Sequence, residues 1–149
     1  MCSDSKDDNW QSRLSALIEE RRNTPFQWGA HDCTMFAFDA LHAVYGVDLG
    51  TPYRGRYSTP AGAMRVLKRA KAENPAALMT RHLDAPKPIV FARKGDIVAS
   101  DALDAFGGNH GFGPVLGVCY GAVSFFVGEH ELMAVPTNEL EVCWHGFCR

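Results

Sequence analysis

Cys33 is the residue best placed to do chemistry. It follows a run of aromatic and turn-forming residues, Pro25-Phe26-Gln27-Trp28-Gly29-Ala30-His31-Asp32, and it opens a stretch with helical spacing, Phe36, Ala37, Ala40, Leu41 and Val44. Asp32 suits a helix N-cap, so Cys33 is expected on the first turn. Backbone N–H groups there lack intrahelical partners and the helix dipole is positive. Both favour a thiolate and predict a lowered thiol pKa. A thiolate is the nucleophile of cysteine hydrolases. A small hydrophobe filling space beneath a sheet would suit the same position, and position alone leaves both readings open.

A cysteine hydrolase also needs a base. Of the six histidines, His110 is the candidate. It lies between Gly107-Gly108 and Gly111, on the approach to a predicted strand, with an ordinary surface-loop histidine as the competing reading. Asn109 would orient it poorly, being its neighbour in sequence. His31 is two residues from Cys33, but the chain turns there and its ring is expected to point away. His42 falls on the central helix and His130 at a hairpin corner. His82 and His145 have no partner visible in the sequence.

Metal and cofactor patterns are absent. Cys143 and Cys148 with His145 between them do not match a standard zinc spacing, and Cys119 would join them only through the fold. The glycine-rich run from Gly107 to Pro114 precedes a strand rather than a helix, so it is no phosphate cradle. No resident cofactor or metal is expected. Five cysteines at irregular spacing do not form a disulfide framework.

The loop Arg54-Gly55-Arg56-Tyr57, with Tyr53 before it, has the composition of an interface. Its arginines equally suit internal pairing with Asp39 or Asp48.

Around these residues the elements read clearly. Trp10, Leu14, Leu17 and Ile18 share one face of a helix over about 9–22. A second helix runs from about Asp32 to Gly46 and is expected to be the most buried. Thr59-Pro60 and Asn74-Pro75 each supply a cap and a first-turn proline, predicting helices to about Lys71 and His82. After Pro86 and Pro88 the pattern changes to strands: Ile89 to Phe91, Asp96 to Ala99, Val115 to Tyr120, Val123 to Val127, Leu132 to Val135, and a last one through Val142 and Trp144. Helices first and an antiparallel sheet second predict an α+β domain spanning 9–149, with helices on one face, after a flexible N-terminus over 1–8.

Composition narrows the function. With 15 basic and 17 acidic residues the formal net charge is −2, which gives no field for nucleic acid or an anionic membrane. The basic group Arg65, Lys68, Arg69 and Lys71 reads as a solvated helix face. No apolar run approaches a membrane span. The polar stretch from Met1 to Asn9 is no signal peptide, so synthesis in the cytoplasm is expected.

The motifs resemble those of the NlpC family of cell-wall cysteine peptidases. Phe26-x-Trp28-Gly29 followed by Asp32-Cys33 is similar to the family's nucleophile segment. Gly95-Asp96-Ile97-Val98 is similar to its first sheet strand, and Gly117-Val118 with Gly121 to its next strand and hairpin. A phage- and prophage-encoded branch of that fold is more similar still. It is matched by His31-Asp32-Cys33, Arg54-Gly55-Arg56-Tyr57, Gly95-Asp96 and Gly113-Pro114-Val115-Leu116-Gly117.

This resemblance implies a papain-like fold, Cys33 as nucleophile, and binding contributions from Trp28, Asp32, Arg54, Arg56 and Tyr57. It also implies a tail-module protein, made in the bacterial host cytoplasm, that meets tail hub or tip proteins and either stays in the virion tail or leaves after assembly. The chain departs from the peptidases at the base. Their histidine lies two residues before the glycine matching Gly117, where this chain has Val115, and a valine accepts no proton. Thr34-Met35 replaces small residues, and Phe26 replaces a tyrosine. The expectation is a catalytically impaired structural or assembly component. The competing expectation is an active peptidase or amidase that cuts peptidoglycan peptides during phage entry.

Overall fold

Asp32 starts the central helix as its spacing predicts, and the rest of the molecule is arranged around that start. The computed structural model describes residues 2, 3, 5–101 and 113–148. The described residues form four helices, α1 (Trp10–Arg21), α2 (Cys33–Tyr45), α3 (Pro60–Arg69) and α4 (Pro75–His82), all preceding the six-stranded sheet. Asp32, Thr59 and Asn74 each accept a backbone amide of the first turn through the side chain, capping α2, α3 and α4. Gly46, at φ 74°, ends α2 in the left-handed region and donates its amide to the His42 carbonyl.

The strands are β1 (Cys2–Ser3), β2 (Lys87–Pro88), β3 (Ile97–Ser100), β4 (Val115–Cys119), β5 (Val123–Val127), β6 (Leu132–Pro136), β7 (Val142–Trp144) and β8 (Phe147–Cys148). Six of them form one antiparallel sheet in the order β2-β7-β3-β4-β5-β6, and β1 pairs with β8 separately. The fold is therefore α+β. Among the described residues no helix is long and apolar enough to cross a membrane.

Ten of the thirteen residues of α2 are buried, Met35, Phe36, Phe38 and Leu41 among them, and the helix packs on β4 and β5. Burying one such large apolar side chain is worth about 1.5–3 kcal/mol, so the α2–sheet contact contributes strongly to the fold. It sets the position of Cys33 relative to β4.

One predicted strand is absent. Ile89–Phe91 forms a 3-10 turn rather than a strand. β2 pairs with β7 only as far as Pro88 opposite Val142, where β7 begins. The Ile89 amide makes one further bond, to the Glu141 carbonyl, and the chain then leaves the sheet edge. Val90 and Phe91 are left 80% and 58% exposed.

Candidate functional site

The Asp32 carboxylate organises the approach to Cys33. One oxygen accepts the Met35 amide at 2.8 Å, closing the first turn of α2. The other accepts the Gly29 amide at 2.9 Å and the Tyr57 hydroxyl at 2.5 Å. The Gly55 amide donates to the Gly29 carbonyl at 2.9 Å. Gly29 sits at φ 80° with the Tyr57 carbonyl packed against its Cα, so no side chain fits there. The Phe26 amide bonds the Glu129 carbonyl of the β5–β6 hairpin. The Trp28-Gly29 segment is thus held between that hairpin and the Arg54–Tyr57 loop.

Cys33 is the first residue of α2 and is buried. Its sulfur faces the start of β4, near the Leu116 backbone amide, and lies 3.8 Å from the Thr34 hydroxyl. It borders a narrow, largely apolar slot that Trp28, Tyr57, Leu67, Leu78, Pro114 and Val115 also line. The free space is about 30 Å³, enough for one or two waters. No histidine is among the described residues that line it. Val115 lies at the wall, where the resemblance would require the base.

Burial corrects the predicted thiol chemistry. Desolvation, with the Asp32 charge adding to it, pushes the Cys33 thiol up to about 11, although the Leu116 and Thr34 amides act in the opposite direction. The helix terminus is present, but a buried sulfur gains less from it than it loses by leaving water. Burial likewise raises Asp32, opposed by the Tyr57 hydroxyl and the Met35 and Gly29 amides.

The other predicted residues separate into two groups. Trp28, Asp32 and Tyr57 reach the slot. Arg54 does not: it bridges Asp39 at 2.6 Å and Asp48 at 2.8 Å, which is the internal pairing the sequence left open. Arg21 reaches Asp39 from the other side at 2.8 Å. Arg56 is exposed, beside Tyr53, Val66 and Arg69 on a shallow surface depression. Arg65, Lys68, Arg69 and Lys71 are exposed. His110, the candidate base, lies outside the described residues, as does Asn109.

His31 is buried with its ring turned to Arg21, whose guanidinium donates to Nδ1 at 3.0 Å. Nε2 then carries the proton, and it is buried with no hydrogen-bond partner. Desolvation, then the Arg21 charge, lowers the imidazole to about 4, so it is neutral and structural.

Two histidines have partners the sequence did not show. His82 Nε2 meets the Tyr53 hydroxyl at 2.9 Å, and His145 Nδ1 meets Asp96 at 2.6 Å. The signal for the second was cross-strand register. Ile97 pairs with Trp144, which puts Asp96 beside His145.

Fold and site together define an α+β domain with a buried cysteine at the start of its central helix, set against the central strands of an antiparallel sheet. The chain belongs to the family described as Domain of unknown function (DUF6950), whose model matches residues 5–145. No curated protein and no solved structure matches it.

Proposed function

We propose that this protein is a papain-like domain of NlpC type that has lost its hydrolytic base and serves a phage or prophage tail module as a structural or assembly component. The observation that carries the loss of catalysis is Val115 in the wall of the Cys33 slot. A peptidase of this kind needs a nitrogen base within hydrogen-bond reach of the sulfur. An isopropyl group offers none, and a thiol held near pKa 11 supplies almost no thiolate at neutral pH.

The tail assignment rests on the order of the sequence motifs, from His31-Asp32-Cys33 to Gly113-Pro114-Val115-Leu116-Gly117. The partner is a tail hub or tip protein. Val90 and Phe91, exposed on their turn, and Arg56 beside Tyr53 offer the apolar and Arg/Tyr surface that such docking uses.

The test is paired. Wild type and Cys33→Ser are incubated with purified peptidoglycan, and the wild type is used to capture tail proteins from a phage-producing lysate. The expected result is no peptide release by either form and recovery of a hub or tip protein. Release by wild type that disappears in Cys33→Ser would overturn the proposal and establish a peptidoglycan peptidase or amidase.

A further inference from the structure

A second cluster lies on the sheet, and the proposed function does not use it. Asp96 precedes β3, while Cys143 and His145 stand two residues apart along β7 and just beyond it. β3 and β7 pair with Val98 opposite Cys143 and Ile97 opposite Trp144. Since side chains alternate along strands, Asp96, Cys143 and His145 share one face. One carboxylate oxygen of Asp96, one imidazole nitrogen of His145 and the Cys143 sulfur lie within 4.8 Å of one another.

We propose that Asp96, Cys143 and His145 form a binding site for a divalent transition-metal ion of the zinc type. The donor set is the first argument. A thiolate, an imidazole and a carboxylate suit Zn²⁺, Co²⁺ or Fe²⁺ and do not suit Mg²⁺ or Ca²⁺, which take oxygen ligands.

Charge is the second. Thiolate and carboxylate together carry −2, which balances the ion, and the thiol proton leaves to solvent on binding. Arg93 Nε stands 4.0 Å from Asp96 and leaves that balance slightly positive.

The state of the carboxylate is the third. Oδ2 of Asp96 accepts the Arg93 amide at 2.7 Å and meets His145 Nδ1 at 2.6 Å. Oδ1 is buried with no hydrogen-bond partner. An unpartnered buried carboxylate oxygen costs stability unless something positive meets it.

The geometry is near what an ion needs. With metal–sulfur bonds of about 2.3 Å and metal–nitrogen or –oxygen bonds of about 2.0 Å, tetrahedral ligands stand roughly 3.3–3.6 Å apart. To reach that spacing the Asp96–His145 pair, now at 2.6 Å, opens, and the other separations, none above 4.8 Å, close. The Cys143 thiol, which now donates to the Pro88 carbonyl at 3.6 Å, turns toward the carboxylate.

The experiment uses the full chain, reduced and stripped of metal with a chelator, then titrated with Co²⁺ alone and with Zn²⁺ as competitor. The expected result is one ion per chain and a thiolate-to-cobalt charge-transfer band in the near ultraviolet, which zinc displaces. Cys143→Ser abolishes the band and Cys33→Ser leaves it intact. His145→Gln lowers cobalt affinity at least tenfold while circular dichroism shows the fold retained. This variant carries the test if Cys143→Ser does not fold, because His145 is the least buried of the three. Absence of the band at millimolar cobalt, or a band unchanged in His145→Gln, overturns the proposal. Neither outcome bears on whether Cys33 is catalytic.

Discussion

The Tyr57 hydroxyl donates to the same Asp32 carboxylate that caps α2, so a loop residue and the helix start at Cys33 form one unit. Their separation of 25 residues makes this a tertiary cap added to a local one. A hydrogen bond to a buried charged group contributes about 1.5–3 kcal/mol. Tyr57→Phe removes the hydroxyl and little else. It is expected to lower the unfolding free energy by about 2 kcal/mol, read from the urea midpoint at unchanged slope.

Gly29 is the second point of that clasp. An alanine there would hold a strained positive φ and overlap the Tyr57 carbonyl. Gly29→Ala is expected to cost about 3 kcal/mol or more. Gly55→Ala is also at positive φ, but nothing lies within 4 Å of its Cβ. It should cost only about 1 kcal/mol. Thermal denaturation of the two variants side by side checks the difference.

Cys33 titrates against stability at high pH. Its folded value of about 11 lies above the ordinary thiol range. The stability it contributes is therefore fully present below about pH 9 and lost as pH rises through 11. A shift of about two units corresponds to about 3 kcal/mol. Cys33→Ala should lose less stability than wild type between pH 9 and 11, measured by urea unfolding at each pH. At pH 7, iodoacetamide should label native Cys33 about two orders of magnitude more slowly than an exposed cysteine.

His31 acts at the acid end with the opposite sign. Its folded value is lowered to about 4. The stability it contributes is fully present above about pH 6.5 and lost as pH falls through 4, by about 3 kcal/mol. His31→Gln cannot titrate and should show a shallower fall in unfolding free energy over that window. A slope equal to that of wild type would show that the imidazole is not desolvated as described.

Asp39 joins two arginines, Arg21 and Arg54, and its side chain is only 10% exposed. Asp39→Asn leaves both guanidinium groups without that charge and should destabilise by about 2 kcal/mol. Arg54 keeps Asp48. Adding Arg54→Ala to Asp39→Asn should therefore cost less than the sum of the single changes, the signature of a shared partner in a double-mutant cycle.

The α+β class, the four helices and the start of α2 at Asp32-Cys33 were legible in the sequence, because each rests on contacts within a few residues. Asp32 caps an amide three positions away, and prolines and glycines act on their own backbone. The protonation of Cys33 was not legible. The helix start predicts a lowered pKa, and only the packing of β4 and Tyr57 around the sulfur reverses it. Arg54 could be read as interface or as internal pairing, and the position of Asp39 on α2 decided for pairing. Asp96, Cys143 and His145 were invisible as a group. Asp96 and His145 are 49 residues apart and meet only through the register of β3 with β7. Short-range capping and periodicity follow from chain chemistry alone. Desolvation and cross-strand proximity exist only once distant segments pack.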